Sequence, residues 1–98
     1  PEKKYREPDA RERAALSALA DALKNMDQGL EAEEYMTAVF TAGKENGYEK
    51  ENLREWFQAL YQVLLGQDQG PRFGSFIALY GPGETVALIE DVLRPKAA

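Results

Sequence analysis

An all-α bundle of about five helices is what this sequence predicts, and three observations point there. Apolar residues recur at three- and four-residue spacing through five successive stretches. Glycine falls at or beside every break between those stretches, at Gly29, Gly47, Gly66, Gly70 and Gly81. No segment alternates apolar and polar residues with strict period two, the signature of a half-buried strand. Short turns between such helices make them pack as neighbours in a single bundle.

Taken in order, residues 1–8 (PEKKYREP) are polar, carry both charge signs and end in proline, and read as a linker or frayed terminus. The helical domain then covers 9–94, with 95–98 as a polar tail. Asp9 is a predicted N-cap with Glu12 three residues on, a capping box that occupies free N–H groups. Leu16, Leu19, Ala20, Leu23 and Met26 carry a first helix over about 9–26. A second, from about Glu31 to Glu45, repeats its apolar stripe through Ala32, Tyr35, Met36, Val39, Phe40 and Gly43. Asn46-Gly47 stops it, since both residues tolerate left-handed backbone angles.

Asn52 with Glu55 repeats the capping signature and opens a third helix, expected to run unbroken to Leu65. Leu53, Trp56, Phe57, Leu60, Tyr61 and Leu64 make it the most aromatic element and the predicted centre of the core. Gly66 ends it, and Gln67-Asp68-Gln69-Gly70 is a polar turn. Pro71 is placed at the first position of a fourth helix, where a missing N–H costs nothing. Phe73, Phe76, Ile77 and Tyr80 form its stripe and Gly81 its end. Pro82-Gly83 reads as one more turn before a last helix, faced by Val86, Ile89, Val92 and Leu93 and closed by Arg94-Pro95.

The 98 residues suffice for one core and no second one. No apolar run approaches the roughly 20 residues of a membrane span, and no signal-peptide pattern is present. The absence of cysteine excludes disulfides and thiolate metal sites and suits a reducing cytoplasm. The absence of histidine removes zinc sites and imidazole acid–base chemistry; no metal is expected. Beginning at Pro1 rather than methionine is what an excised domain would show. The formal net charge is −5, but residues 27–55 hold eight acidic and three basic groups, whereas the flanking regions are near neutral. Net charge governs steering and solubility and leaves local binding surfaces undecided.

Catalysis finds little support. The carboxylates fall mostly on solvent faces, with no pair in an apolar setting that would part their pKa values. Asp68 is the one acid beside the distinctive turn, and a turn residue is its simpler reading. Ser17 and Ser75 lack a base, and no phosphate loop of the G-x-x-x-x-G-K type occurs. Binding is the better prospect. Gln67, Gln69 and Arg72 put hydrogen-bonding side chains on a turn entering a helix N-terminus, where free N–H groups favour anions. Tyr61 and Phe73 could stack on unpaired bases. Both also lie on apolar stripes, where aromatics are ordinarily core, and helix punctuation alone explains the glycines and Pro71.

The run Trp56 to Leu93, WFQALYQVLLGQDQGPRFGSFIALYGPGETVALIEDVL, resembles the C-terminal end of class I lysyl-tRNA synthetases. The likeness is carried by GQ-x-x-GPRFG-x-F-x-x-x-x-G from Gly66 to Gly81. More loosely, it is similar to the last domain of glutamyl-tRNA synthetases, where a Gly-x-x-x-x-Pro turn precedes a helix ending in Leu-Gly. The likeness is specific over about 38 residues and weaker over the first two helices. It implies an all-helical cage domain that binds the tRNA anticodon, that of tRNA-Lys in view of amide and stacking groups suited to uridines. It also implies attachment to the catalytic core of a parent chain. That core, with its HIGH-like and KMSKS-like ATP motifs, is absent from these 98 residues, so the fragment is expected to be non-catalytic and to need no cofactor, ATP belonging to the parent enzyme. Carried onto matching positions, the resemblance points to Gly70, Pro71, Arg72 and Phe73, with Tyr61 on the preceding helix; Gln67 and Gln69 join them on their chemistry. Arg72-Phe73 departs from the smaller or aliphatic residues of the glutamyl pattern, so base identity does not transfer. Two other readings remain: a helical protein–protein module using the acidic surface of residues 27–55, and a stand-alone relative that binds another RNA.

Overall fold

Five helices, in the order expected, make up the computed structural model, which describes residues 3–95. They are α1 (Ala10–Lys24), α2 (Ala32–Glu45), α3 (Leu53–Ala59), α4 (Phe73–Tyr80) and α5 (Pro82–Leu93). Among the described residues there is no strand. The ends of the expected linker and tail, residues 1–2 and 96–98, lie outside the described residues.

Local chemistry sets the ends of α1. The Asp9 carboxylate accepts the Glu12 N–H at 2.8 Å, and the Glu12 carboxylate accepts the Asp9 N–H at 2.8 Å, so the capping box forms as read. One apolar face of α1, Ala15, Leu16, Leu19, Ala20 and Leu23, is buried against α2 and α5. Arg13 donates to the Leu93 carbonyl at 2.6 Å and ties the start of α1 to the end of α5.

Trp56 is the centre of the core, with no exposed surface. Its indole N–H donates to the Val39 carbonyl at 2.9 Å, which satisfies the ring's polar edge inside the bundle. Tyr48 stacks on it at 5.4 Å between centroids. Gly43 also abuts it: a Cβ there would fall 2.5 Å from the indole Cδ1. The indole therefore sits directly on the α2 backbone.

Four local expectations are corrected. The third helix does not run as α-helix to Leu65: Leu60–Leu65 form a π-helix that continues α3 with wider turns. Asn52 is the N-cap residue of α3, as read, but its side chain makes no capping bond. Its side chain turns back into the preceding loop, accepting the Glu49 N–H at 2.6 Å and donating to the Gly47 carbonyl at 3.1 Å. Pro71 lies outside α4, whose N-cap is Arg72, and it is Pro82 that takes the first position of a helix. Pro82-Gly83 is thus the opening of α5 and not a turn. Gly81 alone joins α4 to α5 at φ 110°, a backbone angle open to glycine and strained for other residues.

Residues 3–8 carry no regular element, yet they lie along the body. Lys4 N–H donates to the Gly66 carbonyl at 2.9 Å, the Arg6 guanidinium forks onto the Glu12 carboxylate at 2.8 Å on each arm, and Pro8 is buried. An open cleft of about 490 Å³ lies between this strap, the π-helix and α5, with Pro8, Val63, Leu64 and Val92 among its lining residues.

Candidate nucleic-acid interface

The polar turn is built on the end of the π-helix. Gly66 adopts φ 66°, and its N–H and that of Gln67 both point back to the Tyr61 carbonyl, the latter at 3.1 Å. This closes the helix and sends the chain outward. Gln67, Asp68, Gln69, Gly70, Pro71 and Arg72 are all exposed. The sequence therefore surfaces six polar or small residues in a row between two apolar elements.

Tyr61 shapes this turn from beneath. It is half-buried, and its hydroxyl donates to the Pro71 carbonyl at 2.6 Å across the base of the loop. Burial pushes its phenol above the ordinary tyrosine value. Gly70 lies flat on the ring: a Cβ there would come within 3.2 Å of two ring carbons. A side chain there would require the Tyr61 ring to shift by a few tenths of an ångström.

Phe73 is fully enclosed, at 0% exposure, so its ring offers no open face to a base. It meets the edge of Tyr61 at 6.1 Å and starts a stack that continues through Phe76 at 5.1 Å to Tyr80 at 4.9 Å from Phe76. The physical reason is its place as the first residue of α4, where the chain turns inward from Arg72. Tyr80 is the half-exposed end of that stack.

Among the described residues, the side chains of Gln67, Gln69 and Arg72 enter no ion pair or side-chain hydrogen bond. Arg72 is also the N-cap of α4, and no side chain caps that terminus. The turn thus presents two amides and a guanidinium beside a positive helix end, a donor-rich group suited to phosphate and base edges. Tyr61, Gly70, Pro71, Arg72 and Phe73 are brought together, with the two glutamines leading into them.

Sequence reasoning missed Gln62 and Arg6. The Gln62 amide donates to the Asp68 carboxylate at 3.2 Å and accepts from Arg6 Nε at 2.7 Å. Nothing in the spacing of a lone glutamine within an apolar stripe signals such a bridge. Asp68, read as a turn residue, is one of its ends. The acidic residues of 27–55 spread over exposed positions from the loop before α2 to the first turn of α3, and the 490 Å³ cleft is lined by none of them. No group of three or more carboxylates among the described residues could hold a metal ion, and no helix there is long and apolar enough to cross a membrane.

Comparison with known proteins turns on sequence. No family model and no solved structure matches the chain. Curated relatives do. A lysine–tRNA ligase of Roseobacter denitrificans is 50% identical over 93 residues, which is 95% of this chain and 17% of that protein. One from Rickettsia bellii is 45% identical over 91 residues, 93% of this chain and 17% of the relative. One from Rickettsia felis is 43% identical over 94 residues, 96% of this chain and 18% of the relative. Over nearly all of its length, then, this chain is similar to one segment of proteins named lysine–tRNA ligase, a segment that spans about a sixth of their length.

Proposed function

We propose that this chain is the anticodon-binding domain of a class I lysine–tRNA ligase, binding tRNA-Lys so that its 3′ end reaches a catalytic core supplied elsewhere in a parent chain. The single observation that carries the reading is the exposed turn Gln67–Arg72, braced from below by Tyr61 while its three donor side chains, Gln67, Gln69 and Arg72, stay unengaged. The similarity to lysine–tRNA ligases supports tRNA as the ligand.

In this mechanism direct contacts fall to Gln67, Gln69, Gly70, Pro71 and Arg72. The amides read base edges, and Arg72 with the open end of α4 takes a phosphate. Tyr61 and Phe73 act from underneath, as the floor that keeps the turn in shape before RNA arrives. Preorganisation of this kind lowers the ordering cost of binding. Lysine activation with ATP belongs to the parent's core, and this chain contributes position rather than chemistry, in a cytoplasmic enzyme. Nothing in the surface of residues 27–55 favours the protein-docking alternative, since the cleft and the unengaged donors both lie elsewhere.

Binding of the domain to tRNA-Lys and to the same tRNA with a swapped anticodon tests the proposal. The cognate RNA is expected to bind more tightly. Arg72→Ala should weaken it and lower the slope of log K against log salt by about 0.7, one single-strand phosphate contact. Equal affinity for the two RNAs, with Arg72→Ala indistinguishable from wild type, would overturn the reading.

A further inference from the structure

Segment 3–8 and the exposed turn are joined by a chain of side-chain hydrogen bonds that neither the apolar pattern nor the resemblance indicates. It begins at Glu12, a carboxylate only 7% exposed and already locked into the capping box of α1. Arg6 grips both of its oxygens at 2.8 Å, using one nitrogen for each. The guanidinium Nε–H donates to Gln62 Oε1 at 2.7 Å. The other half of the same amide, Gln62 Nε2, donates to Asp68 Oδ1 at 3.2 Å, inside the turn. The relay therefore runs from the buried start of α1 to the solvent-facing loop in three side-chain steps.

A backbone bond runs beside it. Lys4 N–H donates to the carbonyl of Gly66, the residue whose left-handed conformation starts the turn. Contact there is close: a Cβ on Gly66 would stand 3.0 Å from both Lys3 Cβ and the Tyr5 ring. Strap and turn thus meet through two independent links, one through backbone and one through side chains.

We propose that Arg6 and Gln62 are positioning residues for the RNA-binding turn: through Glu12–Arg6–Gln62–Asp68 the strap holds residues 67–72 in their binding conformation. The consequence for RNA rests on the function proposed above; the consequence for the turn does not. Each participant has the chemistry the role requires. Glutamine is both donor and acceptor, so one side chain can face a cation and a carboxylate at once. Arginine's rigid fork satisfies a bidentate carboxylate and keeps a third N–H for another partner, which a lysine ammonium cannot reproduce in that geometry. The π-helical turn that carries Gln62 is a form that recurs at functional sites. Tyr61 fixes the far side of the loop at Pro71, and the relay fixes its near side at Asp68.

Gln62→Leu is the informative variant, because it cuts the relay and leaves the Arg6–Glu12 pair intact; Arg6→Lys is the second. Amide hydrogen exchange across the whole chain, read by NMR, is compared with RNA affinity. In Gln62→Leu the Gly66 and Gln67 amides, both bonded to the Tyr61 carbonyl, should exchange about 3- to 10-fold faster, the worth of one lost hydrogen bond. The amides of α1 and around Trp56 should stay as in wild type. The same substitution in an Asp68→Ala background should have no further effect on the turn, a non-additivity that a general loss of stability would not produce. Turn amides unchanged in both Gln62→Leu and Arg6→Lys, or accelerated equally with and without Asp68, would overturn the inference. If the turn loosens while affinity for tRNA-Lys holds, positioning stands and the RNA reading falls. If the turn and affinity hold in these variants while Arg72→Ala loses affinity, the RNA reading stands and positioning falls.

Discussion

The two halves of the segment Leu53–Leu65 carry one continuous apolar stripe and put it to different uses. In α3, Trp56 is sealed against Gly43, its N–H taken by Val39 and its face covered by Tyr48. In the π-helical half, Tyr61 stays half-buried, its hydroxyl reaching across to Pro71, and Gln62 bridges strap and turn. The first half spends its aromatic ring on cohesion of the bundle. The second half spends its side chains on the shape of a loop. Packing tolerates no gap at Trp56, whereas Tyr61 and Gln62 stay partly open to water, so perturbations at the two should differ in size and in reach.

The largest effect is expected from Gly43→Ala, whose Cβ would fall 2.5 Å from Trp56 Cδ1 and 2.8 Å from Nε1. Forcing the indole off α2 should cost about 3 kcal/mol, the upper part of the overpacking range, and global unfolding in urea followed by Trp56 fluorescence measures it. A loss under about 1 kcal/mol would mean that the ring slides freely, and the contrast between the halves would collapse.

A pH-dependent effect of intermediate size is expected at Glu12. The hydrogen bonds from Arg6, which outweigh the opposing effect of burial, hold its carboxyl below the ordinary carboxylate value. A lowered folded-state pKa gives stability that is present above the unfolded value and lost as pH falls through the folded one. Wild type should therefore exceed Glu12→Gln by about 1 kcal/mol at neutral pH, a figure discounted for the partly exposed Arg6. That difference should shrink in acid below the usual carboxylate range. Thermal unfolding of both proteins across pH reads it, and a difference independent of pH would place the stabilisation in packing instead of charge.

The smallest effect on stability belongs to Tyr61→Phe. Losing one hydrogen bond at a solvent-accessible carbonyl should cost about 0.5–1 kcal/mol, with faster exchange confined to the turn. Spread of that loss into α1 or the Trp56 amides would show that the two halves are one cooperative unit.

Much of the fold was legible in residues alone. The stripes of α1, α2 and α5 mark elements that formed within a few positions of where periodicity put them, and Asp9 with Glu12 capped α1 as read. What was not legible has identifiable causes. The stripe Leu53–Leu64 does not separate an α-helix from a π-helix, because over so few residues composition is the same for i→i+4 and i→i+5 bonding and only neighbouring elements decide which face is buried. Asn52 has a side chain that satisfies either a helix start or a loop, and the loop took it. Pro71 and Pro82 are each followed by an apolar helix, and local preference does not say which one opens its helix. The candidate turn was found from Gly66, Gly70, Pro71 and Arg72, whereas the burial of Phe73 and the bridge of Gln62 depend on neighbours from distant parts of the chain.

By itself the sequence determined the all-α class, the order of five helices, the exposed polar turn at 67–72 and the likeness to lysine–tRNA ligases. These rest on periodicity, capping and punctuation, which act over a few residues. Tertiary structure decided that Phe73 faces inward while Arg72 faces out, that Tyr61 braces the loop instead of standing free, and that residues 3–8 reach the turn through Arg6 and Gln62. Those outcomes depend on which surfaces meet after the helices collapse, since hydrogen bonds between residues 56 positions apart have no local signature.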